Sequence, residues 1–281
     1  MQWSPKGPVA PAAHSVDVGP VTLALRGWRP EGKDAAAPAP RVVLLAGTGA
    51  TADDWDVVAG HLGQSREVLA VDLRGHGDSD WPGEYSLRLM ADDVGTLLER
   101  LGGPPVDLVG HSLGGLVGCL VAAGCPGRVR RFVLEDVGLP HPRPPAAPTR
   151  PAGPLRFDWR VVEQVRPEID DPDAGWPGVL AAIAAPTLVV AGGPSSFVAA
   201  EHVDELVATV ANARLVTLDA GHLVHQREPG LFVRHVTDFL DRRRPTSSPT
   251  LAHSGIPSTP CPMTPTTSRP DATAARAAER T

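Results

Sequence analysis

Val109–Gly115, "VGHSLGG", sets Ser112 between glycines two positions away on each side. A serine in that setting is a candidate nucleophile. At the apex of a sharp turn from strand into helix its hydroxyl is pushed clear of the sheet, and its crowded neighbours must be small. A hydroxyl attacks poorly until a base takes its proton, and histidine suits that task near neutral pH. His222 and His225 in "AGHLVHQREP" (220–229) and His111 beside the serine are the histidines near other reactive groups. His14, His61, His202 and His235 have no motif around them. A carboxylate must orient such a base. "VLEDVG" (133–138) offers Glu135 and Asp136, and Asp219 lies three residues before His222. Together these residue types perform acyl transfer through a covalent intermediate.

The elements around them read as alternating strands and helices. "VTLALRGW" (21–28), "RVVLLAG" (41–47), the start of "REVLAVDLRGHGDSD" (66–80), "PVDLVG" (105–110), "VRRFVLED" (129–136), "PTLVVAGG" (186–193) and "ARLVTLDAG" (213–221) are predicted strands. Continuous apolar runs such as 41–47 are those of strands buried on both faces. Helices are predicted at 86–102, opened by Ser86 and closed by Gly102, and at 112–124, 158–168, 199–210 and 225–243. This alternation predicts an α/β fold, a mostly parallel sheet with helices on both faces. A proline-rich stretch interrupts it after Asp136.

In this order and context, "GHSLGG", "VDLRGHGDSD" (71–80), "PTLVVAGG" and "AGHLVHQREP" resemble the α/β-hydrolase fold family over roughly residues 15–244. The resemblance implies a doubly wound, mostly parallel sheet with a short cap inserted after the sixth strand. It implies a core of residues 1–136 and 185–244 and a cap over 137–184. It makes Ser112 the nucleophile and His222, in the loop after the last strand, the base; His225 is left to pack or cap, and His111 to point away from the hydroxyl. Many relatives carry the acid after the strand at 186–191, but that loop reads "GGPSSFVAAE", with Ser195 and Ser196 where a carboxylate is expected. Others carry it one strand earlier. Asp136 is then the acid and Glu135 its alternative, while Asp219 bonds locally. The oxyanion donors would be the backbone N–H of Leu113 and of Thr48, with Gly49 next. Relatives usually have His-Gly where this chain has Ala46-Gly47, so a histidine that braces this loop is missing. Arg74, His76 and Asp78 are expected to brace the scaffold. A metal reading of His76 with Asp72 and Asp78 lacks a second neutral ligand. Phe157, Trp159 and Trp176 in the cap are expected either to line an apolar pocket or to anchor a proline-rich loop.

Composition restricts the partners. The 281 residues are 42% hydrophobic, enough for one sizeable core, and the net charge is −6 with both signs interspersed. That balance argues against nucleic acid or an anionic membrane as partner and leaves a small-molecule substrate. No apolar run spans a membrane, and the first fifteen residues lack the apolar stretch of a secretory leader. Three cysteines, 119, 125 and 261, fit no zinc pattern and imply no disulfide framework. The expected location is cytoplasmic. Residues 245–281 are too poor in apolar side chains to offset ordering entropy and are expected to be a disordered tail. The expected activity is hydrolysis of a small or medium ester or amide without a cofactor. An acyltransferase, an aminopeptidase, a C–C hydrolase and a non-catalytic ligand-binding protein on the same scaffold are the alternatives.

Overall fold

A computed structural model describes residues 10–30, 39–145 and 147–242. The tail expected from residue 245, including Cys261, lies outside the described residues. The strands are β1 (Ala12–Asp17), β2 (Thr22–Trp28), β3 (Ala39–Leu45), β4 (Arg66–Val71), β5 (Val106–His111), β6 (Val129–Glu135), β7 (Thr187–Ala191) and β8 (Ala213–Thr217). They form one sheet in the order β1-β2-β4-β3-β5-β6-β7-β8. β1 and β2 run antiparallel to their neighbours, and every pairing from β4 through β8 is parallel. β1 had no signal in the sequence, because its residues are mostly exposed and it is held by backbone pairing to β2 at the sheet edge.

Side chains alternate across the central strands. Val43, Leu45, Leu108, Phe132, Leu134 and Val189 face one layer of helices, while Val42, Leu44, Val109, Val133, Leu188 and Val190 face the other. The first layer contains α2 (Leu87–Leu101), α3 (Leu113–Gly124), α5 (Trp176–Ala181) and α6 (Ala200–Thr209); the second contains α1 (Asp56–Leu62) and α8 (Pro229–Leu240). Burial on both faces explains why these strands read as unbroken apolar runs. The Ser86 hydroxyl accepts from the N–H of Leu89 at 3.0 Å and caps α2, and Gly102 ends that helix at φ 60°.

Two expectations need correction. The closing helix expected over 225–243 divides into α7 (Val224–Arg227) and α8, since Pro229 has no N–H to continue a helix and instead starts a new one. The proline-rich insert after β6, expected to hold one helix at 158–168, folds two: α4 (Arg160–Asp170) and α5. Trp176 opens α5 and is buried in the main core.

Candidate active site

Gly110 and Gly114 make the elbow at Ser112 possible. A Cβ on Gly110 would lie 2.4 Å from the carbonyl oxygen of Gly114, and one on Gly114 would lie 2.4 Å from that of Leu45. Both obstacles are backbone, so neither can yield. Ser112 takes φ 49° and ψ −116°. Its N–H bonds the carbonyl of Glu135 at 3.1 Å, and its own carbonyl accepts from Gly115 and Leu116 to start α3. Asp136, at the end of β6, has φ 50°; it and Ser112 are the only non-glycine residues with positive φ among the described residues. Such conformations cost about 1–3 kcal/mol each and concentrate at functional sites.

The loop after β8 carries His222. Its Nδ1–H donates to Asp136 Oδ2 at 2.7 Å, which leaves Nε2 as the nitrogen available to a hydroxyl. Ser112, His222 and Asp136 all line one cavity of about 650 Å³ under the cap. Asp136 also accepts from the N–H of Gly192 at 2.7 Å and from the hydroxyl of Ser196. Burial pushes its carboxyl up, but the bonds from His222, Ser196 and Gly192 outweigh that and hold it below the usual carboxylate range. The serine found where many relatives carry an acid therefore supports the acid of the preceding strand. The sequence showed Ser196 only as a missing carboxylate.

The neighbouring acid and histidines have other partners. Glu135 accepts from the backbone N–H and from Nδ1 of His225, both at 2.8 Å, and the His225 ring stacks on Trp55 with centroids 4.2 Å apart. Successive residues of a strand point to opposite sides, so Glu135 and Asp136 serve different histidines. His111 lies beneath the elbow and donates from Nε2 to the carbonyl oxygen of His222 at 2.9 Å, which steadies the loop. Burial drives its pKa down to about 4, so the ring is neutral.

Leu113 and Thr48 both line the cavity. The N–H of Gly49 is spent on His76 Nε2 at 3.1 Å. His76 donates from Nδ1 to the carbonyl of Arg74, and burial lowers its pKa to about 4. With both ring nitrogens engaged, it has no lone pair to give a metal. It braces the loop in place of the histidine that Ala46 displaces. Arg74 is held by Asp93 through two bonds of 2.5 and 2.6 Å, and Asp72 receives the N–H groups of Ala52 and Asp78. Asp219 accepts from the N–H of Ser195 and takes no part in the cavity.

The cap aromatics lie elsewhere. Phe157 stacks on His76 with centroids 5.7 Å apart, Trp159 lines a separate surface cleft, and Trp176 belongs to the core. The cavity wall is instead aliphatic, with Val161, Val165 and Ile169 of α4, and Phe197 lies over the His222 ring at 4.2 Å. Phe197 is 75% exposed, a large apolar ring left at the rim beside the imidazole. Nothing in its local sequence set it apart from the three cap aromatics.

A family model described as alpha/beta hydrolase fold matches residues 40–168. The chain is 28% identical to the sn-1-specific diacylglycerol lipase ABHD11 of Mus musculus, over 74% of this chain and 83% of that one. It is 30% identical to a protein of Pseudomonas savastanoi pv. phaseolicola named as a carbamate hydrolase, RutD, over 73% of this chain and 95% of that one. Among solved structures, a hydrolase from Pseudomonas aeruginosa PA01 superposes with a TM-score of 0.67 at 29% identity, over 83% of this chain and 98% of that one. Eight strands in this order, helices on both faces and a cap after the sixth strand agree with these likenesses: the chain belongs to the α/β-hydrolase fold family.

Proposed function

We propose that the protein is a serine hydrolase that cleaves a small or medium ester or amide through an acyl-enzyme. One observation carries this reading: the strained Ser112 shares a cavity with His222, whose far ring nitrogen is anchored on a charged Asp136. His222 Nε2 takes the hydroxyl proton as Oγ attacks the carbonyl carbon. Asp136 holds the imidazole in the tautomer with hydrogen on Nδ1 and steadies the imidazolium that forms. The N–H groups of Leu113 and Thr48 face the developing oxyanion, where the positive end of α3 adds its field. The imidazolium returns its proton to the leaving oxygen or nitrogen. Water, deprotonated by the same ring, then releases the acid. The relatives named a diacylglycerol lipase and a carbamate hydrolase support carbonyl chemistry with an oxygen or nitrogen leaving group.

A fluorophosphonate probe tests the proposal. The wild-type protein takes up one probe per chain, and Ser112→Ala takes up none. Equal labelling of the two proteins overturns it.

A further inference from the structure

The residues lining the cavity include three with formal charge: Asp136, Arg143 and Arg166. Asp136 belongs to the reactive end and is committed to His222. The two arginines come from the cap, Arg143 from the proline-rich segment after β6 and Arg166 from α4. The rest of the wall is mostly apolar, with Leu139, Val161, Val165 and Ile169 beside the rings of His141 and His202. The arginines share one partner, Asp170. Arg143 bonds it through Nε, and Arg166 reaches both carboxylate oxygens through Nε at 2.7 and 2.8 Å. The backbone N–H of Arg143 also bonds the carbonyl of Asp170 at 2.8 Å, so the segment and the helix are tied together there. The Asp170 side chain is 5% exposed, while those of Arg143 and Arg166 are 45% and 35% exposed.

This arrangement has an excess of charge. Asp170 lines the neighbouring cleft with Glu163 and Asp171 and does not line the cavity, so the charged groups that the cap gives the cavity wall, Arg143 and Arg166, are both positive. Both are held through Nε, and a guanidinium fixed there still presents its terminal N–H groups in the planar fork that matches a carboxylate. Resting on the hydrolase reading above, we infer that the substrate carries a carboxylate, separated from the scissile carbonyl by an apolar stretch, and that Arg143 and Arg166 bind it. Asp170 sets the height of the two forks and is a positioning residue.

The test compares matched substrates. p-Nitrophenyl monoesters of glutaric, adipic and suberic acid are set against neutral p-nitrophenyl esters of equal chain length, and p-carboxyphenyl hexanoate against phenyl hexanoate. In at least one pair the wild-type protein has a kcat/KM about tenfold or more in favour of the carboxylate, the gain expected of charge-assisted bonds to a half-buried group. That preference falls towards unity in Arg143→Gln/Arg166→Gln, is partly kept in Arg166→Lys, and weakens as salt rises. Neutral esters preferred in every pair, or a preference that survives loss of both arginines, overturns the inference. Adipate binding to Ser112→Ala, measured by titration calorimetry, requires no turnover. Binding that disappears in Ser112→Ala/Arg143→Gln/Arg166→Gln supports the anion site even if the fluorophosphonate result defeats the hydrolase reading. Absence of adipate binding together with absence of an ester preference defeats the anion site while leaving the hydrolase reading intact.

Discussion

Ser112 and Asp136 occupy backbone conformations that their side chains disfavour, and each sits at the C-terminal end of a parallel strand. The strain is compensated by bonds that the fold makes anyway: Ser112 N–H to Glu135, Asp136 N–H to Val190, and three donors on the Asp136 carboxylate. Asp136→Asn should keep the fold but present the wrong partner to His222 Nδ1, lowering kcat by about a thousandfold or more, with KM little changed. Steady-state ester kinetics would show it, and a loss below tenfold would move the acid elsewhere. The depressed pKa of Asp136 has its own signature. Its charge persists as pH falls through the usual carboxylate range, so protonation of Asp136 adds no step of its own to the pH profile of kcat there. Ser196→Ala removes one donor to that carboxylate, lets its pKa rise, and makes the acid limb steeper at its lower end. Ser112, His222 and Asp136 could be named from the sequence because glycine spacing and strand ends leave local traces. The roles of Ser196 and Phe197 could not, because they arise from contacts between loops brought together only by folding.

At the scale of elements, the site depends on close approach. β5 and α3 meet at a turn in which Gly114 lies against the backbone carbonyls of Leu45 and Ala46. Gly114→Ala should cost about 3 kcal/mol, since the methyl can be accommodated only by separating the elbow from β3; urea unfolding measures it. The 47–50 loop is fixed from a different direction, by His76 in the turn after β4. His76→Ala should free the 47–50 loop and reduce kcat about tenfold while KM changes less, the mark of a donor aimed at the transition state. The missing histidine before Gly47 was legible, whereas its replacement by a residue 30 positions after Ala46 was not. Proline explains both differences in the helices: Pro229 divides one expected helix, while the prolines of the insert obscured the short α5.

For the whole molecule, a mostly parallel sheet covered on both faces follows from residue pattern, because doubly buried parallel strands have a composition that few other elements share, while the strand order came only with the structure. The edge strand β1 and the aliphatic lining of the cavity left no such pattern. Among the described residues, no helix is long and apolar enough to cross a membrane. The turn that carries His76 is tied to α2 by the Arg74–Asp93 pair, with side chains 4% and 3% exposed. Burial raises the Asp93 pKa despite the guanidinium, so the pair brings little net stability compared with an apolar pair. Asp93→Ala should still lower the unfolding free energy by about 3–5 kcal/mol, because it leaves Arg74 charged and unpaired, and Arg74→Met/Asp93→Leu should regain most of that loss. Thermal and urea unfolding of the three proteins would separate these terms.

The central claim is that the hydroxyl at the elbow becomes acylated because His222 removes its proton. The direct measurement is peptide mass spectrometry after acid quench during turnover of p-nitrophenyl acetate. The account predicts one acetyl group on the peptide that contains Ser112, and none in His222→Ala. Turnover of the ester with that peptide unmodified, or equal acetylation in the two proteins, would contradict it.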